Sequence, residues 1–342
     1  MSSEVQMQRI QFPSASGASF FADSDSVTKV LWDPAAPRPR SLLRKRPSDE
    51  ALRWRAVTEV TIANGLSTAL RSRALPGSLT LGPEFVPLFK TTEASEADMS
   101  CLVSLSMRRA ACSLADCRTA FARLEANPAD RLAALARVGW QVATQLAILH
   151  SGILVGGGSD DVIRVVHGDV APGNIVLDRD GAAHLIDFGC ARWLCPMEDR
   201  REGTSTAEAD VPRLLRFSSG GFTPQVADQR LIDASACGCD NNSMGCDACR
   251  PFRIGAVPVA PDGVCDTHAL VETLTWWCGD FTDAGFLHSL TTSDGQAGDA
   301  ERLVAVFAEY ASPAGDVLLR RVAQTVAERE CVVAGLAESD SD

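Results

Sequence analysis

The chain has 342 residues, 46% of them apolar and 22% charged, a globular composition large enough for one two-lobed domain or two small ones. Its formal charge of 32 − 44 = −12 argues against a nucleic-acid-binding surface as the main activity. No apolar run approaches the roughly 20 residues of a membrane span, and the polar start from Met1 to Gln11 does not read as a secretory signal.

In chain order, residues 11–107 look β-rich. Val27-Thr28-Lys29-Val30-Leu31-Trp32 alternates and is β-branched, as a strand should be. Leu79 to Phe89 and Cys101 to Met107 are further strand candidates. Ser48-Asp49-Glu50 can cap a helix over Ala51 to Ala63, stopped near Gly65. The clearest helix begins at Asn127-Pro128, an N-cap with Pro in the first turn, and Asp130 complements the helix dipole. Leu132, Leu135, Val138, Val142, Leu146 and Leu149 follow at steps of three and four, and Gly152 comes after the end. Ile153 to Val162, with Gly156-Gly157-Gly158, reads as an exposed insertion, and 193–265 as a long irregular stretch. Helical patterning resumes at Asp266 to Cys278, Glu301 to Tyr310 and Asp316 to about Ala334. The acidic end, Glu338 to Asp342, is expected to be disordered. The organisation is therefore a tail (1–11), a β-rich lobe (12–107), a helical lobe (108–335) with a Cys-rich insertion at about 231–262, and an acidic tail (336–342).

The chemistry lies just after the junction of the lobes. His167-Gly168-Asp169-Val170-Ala171-Pro172-Gly173-Asn174 is followed, 13 residues past the Asn, by Asp187-Phe188-Gly189. Apolar strands, Ile175-Val176-Leu177 and His184-Leu185-Ile186, lie between them. Phosphoryl transfer from a nucleotide needs a carboxylate to orient the attacking hydroxyl, and an Asn and a second carboxylate to hold magnesium on the phosphates. Asp169, Asn174 and Asp187 stand in that order.

These motifs resemble the H-R-D-x-x-x-x-N and D-F-G of eukaryotic-type protein kinases, over roughly residues 12–335. The resemblance implies an α+β, two-lobed protein-kinase-like fold with ATP and Mg2+ as cofactors and protein substrates as partners. It makes Asp169 and Asn174 catalytic and Asn174 and Asp187 the magnesium ligands. Lys29, in a Val-x-Lys-Val strand, is implied to bind phosphate; a surface lysine at a strand edge is the alternative. Its partner is a Glu on the first helix: Glu59 and Glu50 compete, and the apolar neighbours of Glu59 favour it. Gly17 is the single glycine of a degraded phosphate loop, Ser14 to Phe20. Asp266 stands where kinases bind the backbone of the catalytic loop, and a simple N-cap role is equally compatible. The helix ending Leu149-His150-Ser151-Gly152 also fits.

Within that superfamily the chain looks most like the divergent kinases of large DNA viruses, particularly the conserved herpesvirus protein kinases. Glu59-Val60-Thr61-Ile62-Ala63-Asn64 is similar to their E-A-I-A-N-like first helix. This implies Ser/Thr phosphorylation by a viral protein acting in the host nucleus or cytoplasm and packaged in the virion.

Three departures matter. Gly168 replaces the Arg of H-R-D, and Ala171 replaces the Lys set against the transferred phosphate. Gln225, in Gly221-Phe222-Thr223-Pro224-Gln225, replaces the Glu of A-P-E. Losing one phosphate-directed cation costs on the order of 10²-fold in rate. The same H-G-D-x-x-P-G-N-I-x-L-D with L-I-D-F-G also resembles aminoglycoside and choline phosphotransferases, which act on small-molecule hydroxyls. A pseudokinase that keeps the fold and signals by contact is the third alternative.

Twelve cysteines without a secretory signal suggest a reducing compartment, and so thiols or metal ligands rather than a disulfide framework. Cys237, Cys239, Cys246 and Cys249 form C-x-C-x6-C-x2-C, a candidate structural Zn2+ site; inert thiols in a flexible insertion are the alternative. The basic run Arg38 to Arg46 reads as a solvated loop or a nuclear-import signal.

Overall fold

The β-branched run that carries Lys29 forms strand β3 (Ser26–Trp32) in a computed structural model of the chain. The structure describes residues 8–10, 19–35, 49–72, 85–90, 102–154, 162–193, 253–254, 257–258, 263–279, 286–287, 290 and 299–339. Gly17, the Arg38–Arg46 run, Gln225 and the four clustered cysteines lie outside them, as do 79–84 of the expected Leu79–Phe89 strand.

Strand β3 sits between β2 (Ser19–Ala22) and β4 (Val103–Arg108), with β1 (Gln8–Ile10) beyond β2, in an antiparallel sheet ordered β1-β2-β3-β4. Lys29 pairs with Phe20 on one side and Leu105 on the other, and a register shift between Val30 and Trp32 accompanies the strand's end. Phe89 adds a single bridge to Met107. Helix α1 (Asp49–Ser72) packs its buried Val57, Val60, Ala63 and Leu66 into the apolar core beside this sheet.

Helix α1 runs through Gly65 rather than stopping there. The glycine is a close-packing residue, since a Cβ at that position would lie 2.9 Å from Ile153 Cδ1 and 3.0 Å from the Leu154 carbonyl. A glycine in mid-helix costs about 1 kcal/mol relative to alanine, which the close approach of the two backbones offsets.

The second lobe is built round α3 (Pro128–Ser151), capped by the Asn127 side chain accepting from Asp130 N. By length and composition α3 would pass for a membrane span, but 89% of its most apolar stretch is buried inside the protein. Leu135, Val138, Val142, Leu146 and Leu149 are all fully buried, each worth about 1.5–3 kcal/mol on the transfer scale. Helices α5 (Ala300–Tyr310) and α6 (Pro313–Ser339) pack on it through glycines. A Cβ on Gly139 would meet the Phe307 ring at 2.6 Å, and one on Gly315 the Ala133 carbonyl at 2.5 Å. Helix α6 continues to Ser339, through Glu338, into the stretch expected to be disordered. Helix α4 (Val264–Cys278) packs on the same core.

Short paired strands flank α3, one before it and the rest between α3 and α4. β5 (Cys112–Ser113) precedes α2 (Leu114–Arg123), whose first turn is closed by a Ser113–Asp116 capping box. The expected exposed insertion has paired ends: β6 (Ile153–Leu154) and β7 (Val162–Ile163) are antiparallel, with Ile153 and Ile163 buried and Leu154 and Val162 exposed. β8 (Val165–Val166) leads into the catalytic segment and pairs with β11 (Arg192–Trp193). The two apolar strands expected between the motifs are β9 (Ile175–Leu177) and β10 (Ala183–Leu185, one residue earlier than expected), which pair antiparallel, with β5 completing a three-stranded sheet. Its turn meets the N-terminal lobe: Arg179 Nη2 donates to the Ser24 carbonyl at 3.1 Å, and the buried His184 ring lies 4.7 Å from Phe85.

Candidate active site

Lys29 leaves the sheet on the face shared with Leu105 and is buried between two acids. Its Nζ lies 2.6 Å from Glu59 Oε1 and 2.9 Å from Asp187 Oδ1. Glu59 therefore is the partner on α1. Glu50 stands at the helix's first turn, more than two turns away. Burial alone would lower the Lys29 ammonium's pKa, but the attraction of Glu59 and Asp187 outweighs it and raises the value. Burial pushes Glu59 up to about 6 despite Lys29. Asp187 is pushed up by burial too, yet Lys29 and the Gly189 amide hold it below the ordinary carboxylate range. Lys29 is thus an ammonium shared by two carboxylates, the inner one less firmly ionised than the outer.

The catalytic segment is held from beneath by α4. The Asp266 carboxylate is fully buried; Oδ2 accepts from His167 N at 2.7 Å and from His150 Nε2 at 2.9 Å, and Oδ1 accepts from Gly168 N at 2.8 Å. Burial would raise its pKa, but the His150 bond, the two nearby imidazoles and the Gly168 amide together lower it. Two turns further on, Thr273 Oγ1 donates to the Val170 carbonyl at 2.9 Å. Residues on both sides of Asp169 are therefore fixed by one rigid helix. Asp266 does what its motif implies; His150 and His167 stand in the quoted motifs without an assigned role, and Thr273 has none in the sequence reading. An imidazole protonated on Nε2 accounts for both His167 bonds, donating to the Ile186 carbonyl at 3.1 Å and accepting the Asp169 N–H on Nδ1 at 3.3 Å.

Gly168 has a φ of +80°, and a Cβ there would fall 2.7 Å from the Cys190 carbonyl oxygen. The absent arginine of H-R-D is therefore a backbone requirement here, as well as a lost cation. No side chain fits without moving the turn after Asp187.

Asn174 donates Nδ2 to Asp169 Oδ2 at 3.0 Å and to the Asp169 carbonyl at 2.9 Å, bringing two predicted site residues together across the turn Pro172–Asn174. The Ile186 amide donates to the Asn174 carbonyl at 2.9 Å, so the segment before Asp187 is tied to the catalytic loop. Asp187 itself sits at φ 64°, the one non-glycine residue with positive φ among those described. Its Oδ1 also accepts from Gly189 N at 3.3 Å. Phe188 is buried, its ring 5.2 Å from His167 and 5.7 Å from Phe89, which anchors the turn in the core.

These residues fit a magnesium nucleotide. With Nδ2 of Asn174 engaged by Asp169, its amide oxygen is the atom left to face a cation. The Asp187 side chain is 46% exposed while that of Lys29 is 6% exposed, so the carboxylate presents itself to the cleft. Amide and carboxylate oxygens are the hard donors that magnesium takes. Among the described residues no cluster of three or more His, Cys, Asp or Glu is placed to hold a metal, and the zinc candidates lie outside them.

The mixed helix and strand content and the clustered Lys29, Glu59, Asp169, Asn174 and Asp187 are consistent with a kinase-like α+β phosphotransferase. Residues 99–200 match the model of a phosphotransferase enzyme family (APH), which supports membership of the kinase-like superfamily and transfer of phosphate. The matched stretch holds Asp169, Asn174 and Asp187; Lys29, Glu59 and Asp266 lie outside it and are joined to it by the contacts above.

Proposed function

We propose that the chain is an ATP- and magnesium-dependent protein kinase that phosphorylates Ser or Thr hydroxyls. The convergence of Lys29 on Glu59 and Asp187, with Asn174 on Asp169, is the observation that carries this reading. Asp169 orients the hydroxyl and takes its proton as the oxygen attacks the γ-phosphorus; the β–γ bridging P–O bond breaks and ADP leaves. Lys29, steadied by Glu59, binds phosphate oxygens. Asn174 and Asp187 would hold magnesium, which would neutralise charge on the transferred phosphate. The α4 platform of Asp266 and Thr273 under the catalytic loop, with the Leu149-His150-Ser151-Gly152 helix end, supports the protein-kinase reading. The resemblance to herpesvirus kinases extends the proposal to a viral protein of the host nucleus or cytoplasm, packaged in the virion.

A second reading is favoured by one finding, the family match over residues 99–200: transfer to a small-molecule hydroxyl of the aminoglycoside or choline type. Radiolabelled ATP decides between them. The purified chain would be offered acidic and basic proteins, an aminoglycoside and choline, with and without magnesium. Label on Ser or Thr of protein supports the first reading, and label on the small molecules alone supports the second. Magnesium-nucleotide binding without any transfer leaves a kinase-fold pseudokinase and refutes both.

A further inference from the structure

Strand β10 has one edge on β9 and the other on helix α3. On the β9 side, His184 pairs with Val176, and the next outward amide, that of Ile186, reaches Asn174. The amides of Ala183 and Leu185 point the opposite way, into the core beside α3, where a helix backbone has no free donors or acceptors. Two buried glutamines one turn apart meet them. Gln141 Oε1 accepts from Ala183 N at 2.8 Å. Gln145 Oε1 accepts from Leu185 N at 3.0 Å, and its Nε2 donates to the Ala183 carbonyl and to the Gln141 carbonyl, each at 3.0 Å. Both Nε2 hydrogens of Gln145 are thereby used. A flipped amide would set nitrogen against the Leu185 N–H and oxygen against two carbonyls, so the side chain has one orientation.

We infer that Gln145 is a positioning residue for Asp187: it anchors Leu185 to the central helix, two residues before the metal-directed carboxylate, while the catalytic loop holds Ile186. Asp187 then leaves a segment fixed on both sides and enters its left-handed conformation with Oδ1 toward Lys29. The inference rests on the reading of Asp187 as a magnesium ligand. Gln141 holds only Ala183, four residues from Asp187, and so serves stability rather than position.

The test compares Gln145→Met with Gln141→Met, each replacing an amide by an apolar chain of similar length. Both lose stability. At a temperature where both are folded, Gln145→Met should need about tenfold more magnesium for half-maximal ATP turnover, the range seen when an outer partner of a metal ligand is removed. Metal-free nucleotide binding, read by fluorescence of a nucleotide analogue, should stay within about twofold, and Gln141→Met should keep a near wild-type magnesium dependence. Gln145→Asn withdraws the same amide by one carbon and serves if the Met variant does not fold; its magnesium requirement should move in the same direction. Equal magnesium dependence in wild type, Gln145→Met and Gln145→Asn, or an equal shift in Gln141→Met, overturns the inference while leaving the functional reading intact. A wild-type chain that takes up no magnesium nucleotide refutes the functional reading, and the inference with it.

Discussion

Replacing Gly168 by alanine tests whether the missing arginine of the catalytic motif is a matter of backbone geometry. At φ +80° a residue with a Cβ is strained by about 1–2 kcal/mol. Its methyl would also stand 2.7 Å from the Cys190 carbonyl oxygen, and relieving such an overpacked contact costs about 1–3 kcal/mol. The reduced freedom of the unfolded chain returns about 0.4–1 kcal/mol. Gly168→Ala should therefore destabilise the protein by about 1–4.5 kcal/mol. Because the strained unit carries the Asp266 bond and abuts the turn after Asp187, transfer should fall as well, by about 10²-fold for a displacement near 1 Å. Gly173→Ala is the control, since nothing lies within 4 Å of a Cβ there; it should stay within about 0.5 kcal/mol of wild type. Denaturant unfolding and initial rates with radiolabelled ATP give both quantities. Gly168→Arg should be worse than Gly168→Ala rather than a gain of function. If Gly168→Ala matches Gly173→Ala in stability and rate, the steric account is wrong and the glycine is simply a lost cation.

Lys29→Met should reduce transfer by at least about 10²-fold while the exposed Lys90→Met leaves it unchanged; equal rates would point to a phosphate site without lysine. Asp187→Ala should abolish magnesium-nucleotide binding by calorimetry, whereas Asp169→Asn should bind it and fail to transfer. Two variants that bind like wild type would remove Asp187 from the metal site. Activity should fall as the pH drops through about 6, where Glu59 takes a proton and loosens its hold on Lys29. The folded pKa of Glu59 lies above its unfolded value, so its contribution to stability grows as pH falls from about 6 toward 4.5. The acid loss of activity should therefore precede unfolding, and Glu59→Gln should flatten that limb of the profile. An acid limb that coincides with loss of structure, or survives in Glu59→Gln, contradicts this assignment.

Much of the site was legible because its parts are local. Asp169 and Asn174 are five residues apart across one turn, and the β9–β10 hairpin returns the chain to Asp187 13 residues later. Alternation and β-branching located β3 and hence Lys29, and the apolar period located α3 and with it the lobe's core. The stop placed at Gly65 failed because a glycine in a helix can mark a turn or a close contact, and only the position of Ile153 distinguishes them. Of the Ile153–Val162 insertion, 155–161 lie outside the described residues; Leu154 and Val162 are exposed as expected, while Ile153 is buried because its strand pairs with β7.

The sequence by itself determined the chemistry on offer, an ordered set of carboxylates, amide and lysine at intervals suited to phosphoryl transfer, and the helix and strand that carry most of it. Only the tertiary structure decided which groups meet. Lys29 and Asp187 are 158 residues apart and touch; Gln145 and Leu185 are 40 apart, and Thr273 and Val170 are 103 apart. It also turned Gly168 from an absent cation into a backbone that has no room for a side chain. Such pairings leave no local trace, because a buried amide or carbonyl exerts no pull on the residues beside it in sequence. Its partner is fixed by whichever side chain the packed core brings within 3 Å, and the cost of leaving it unmet makes that partner necessary.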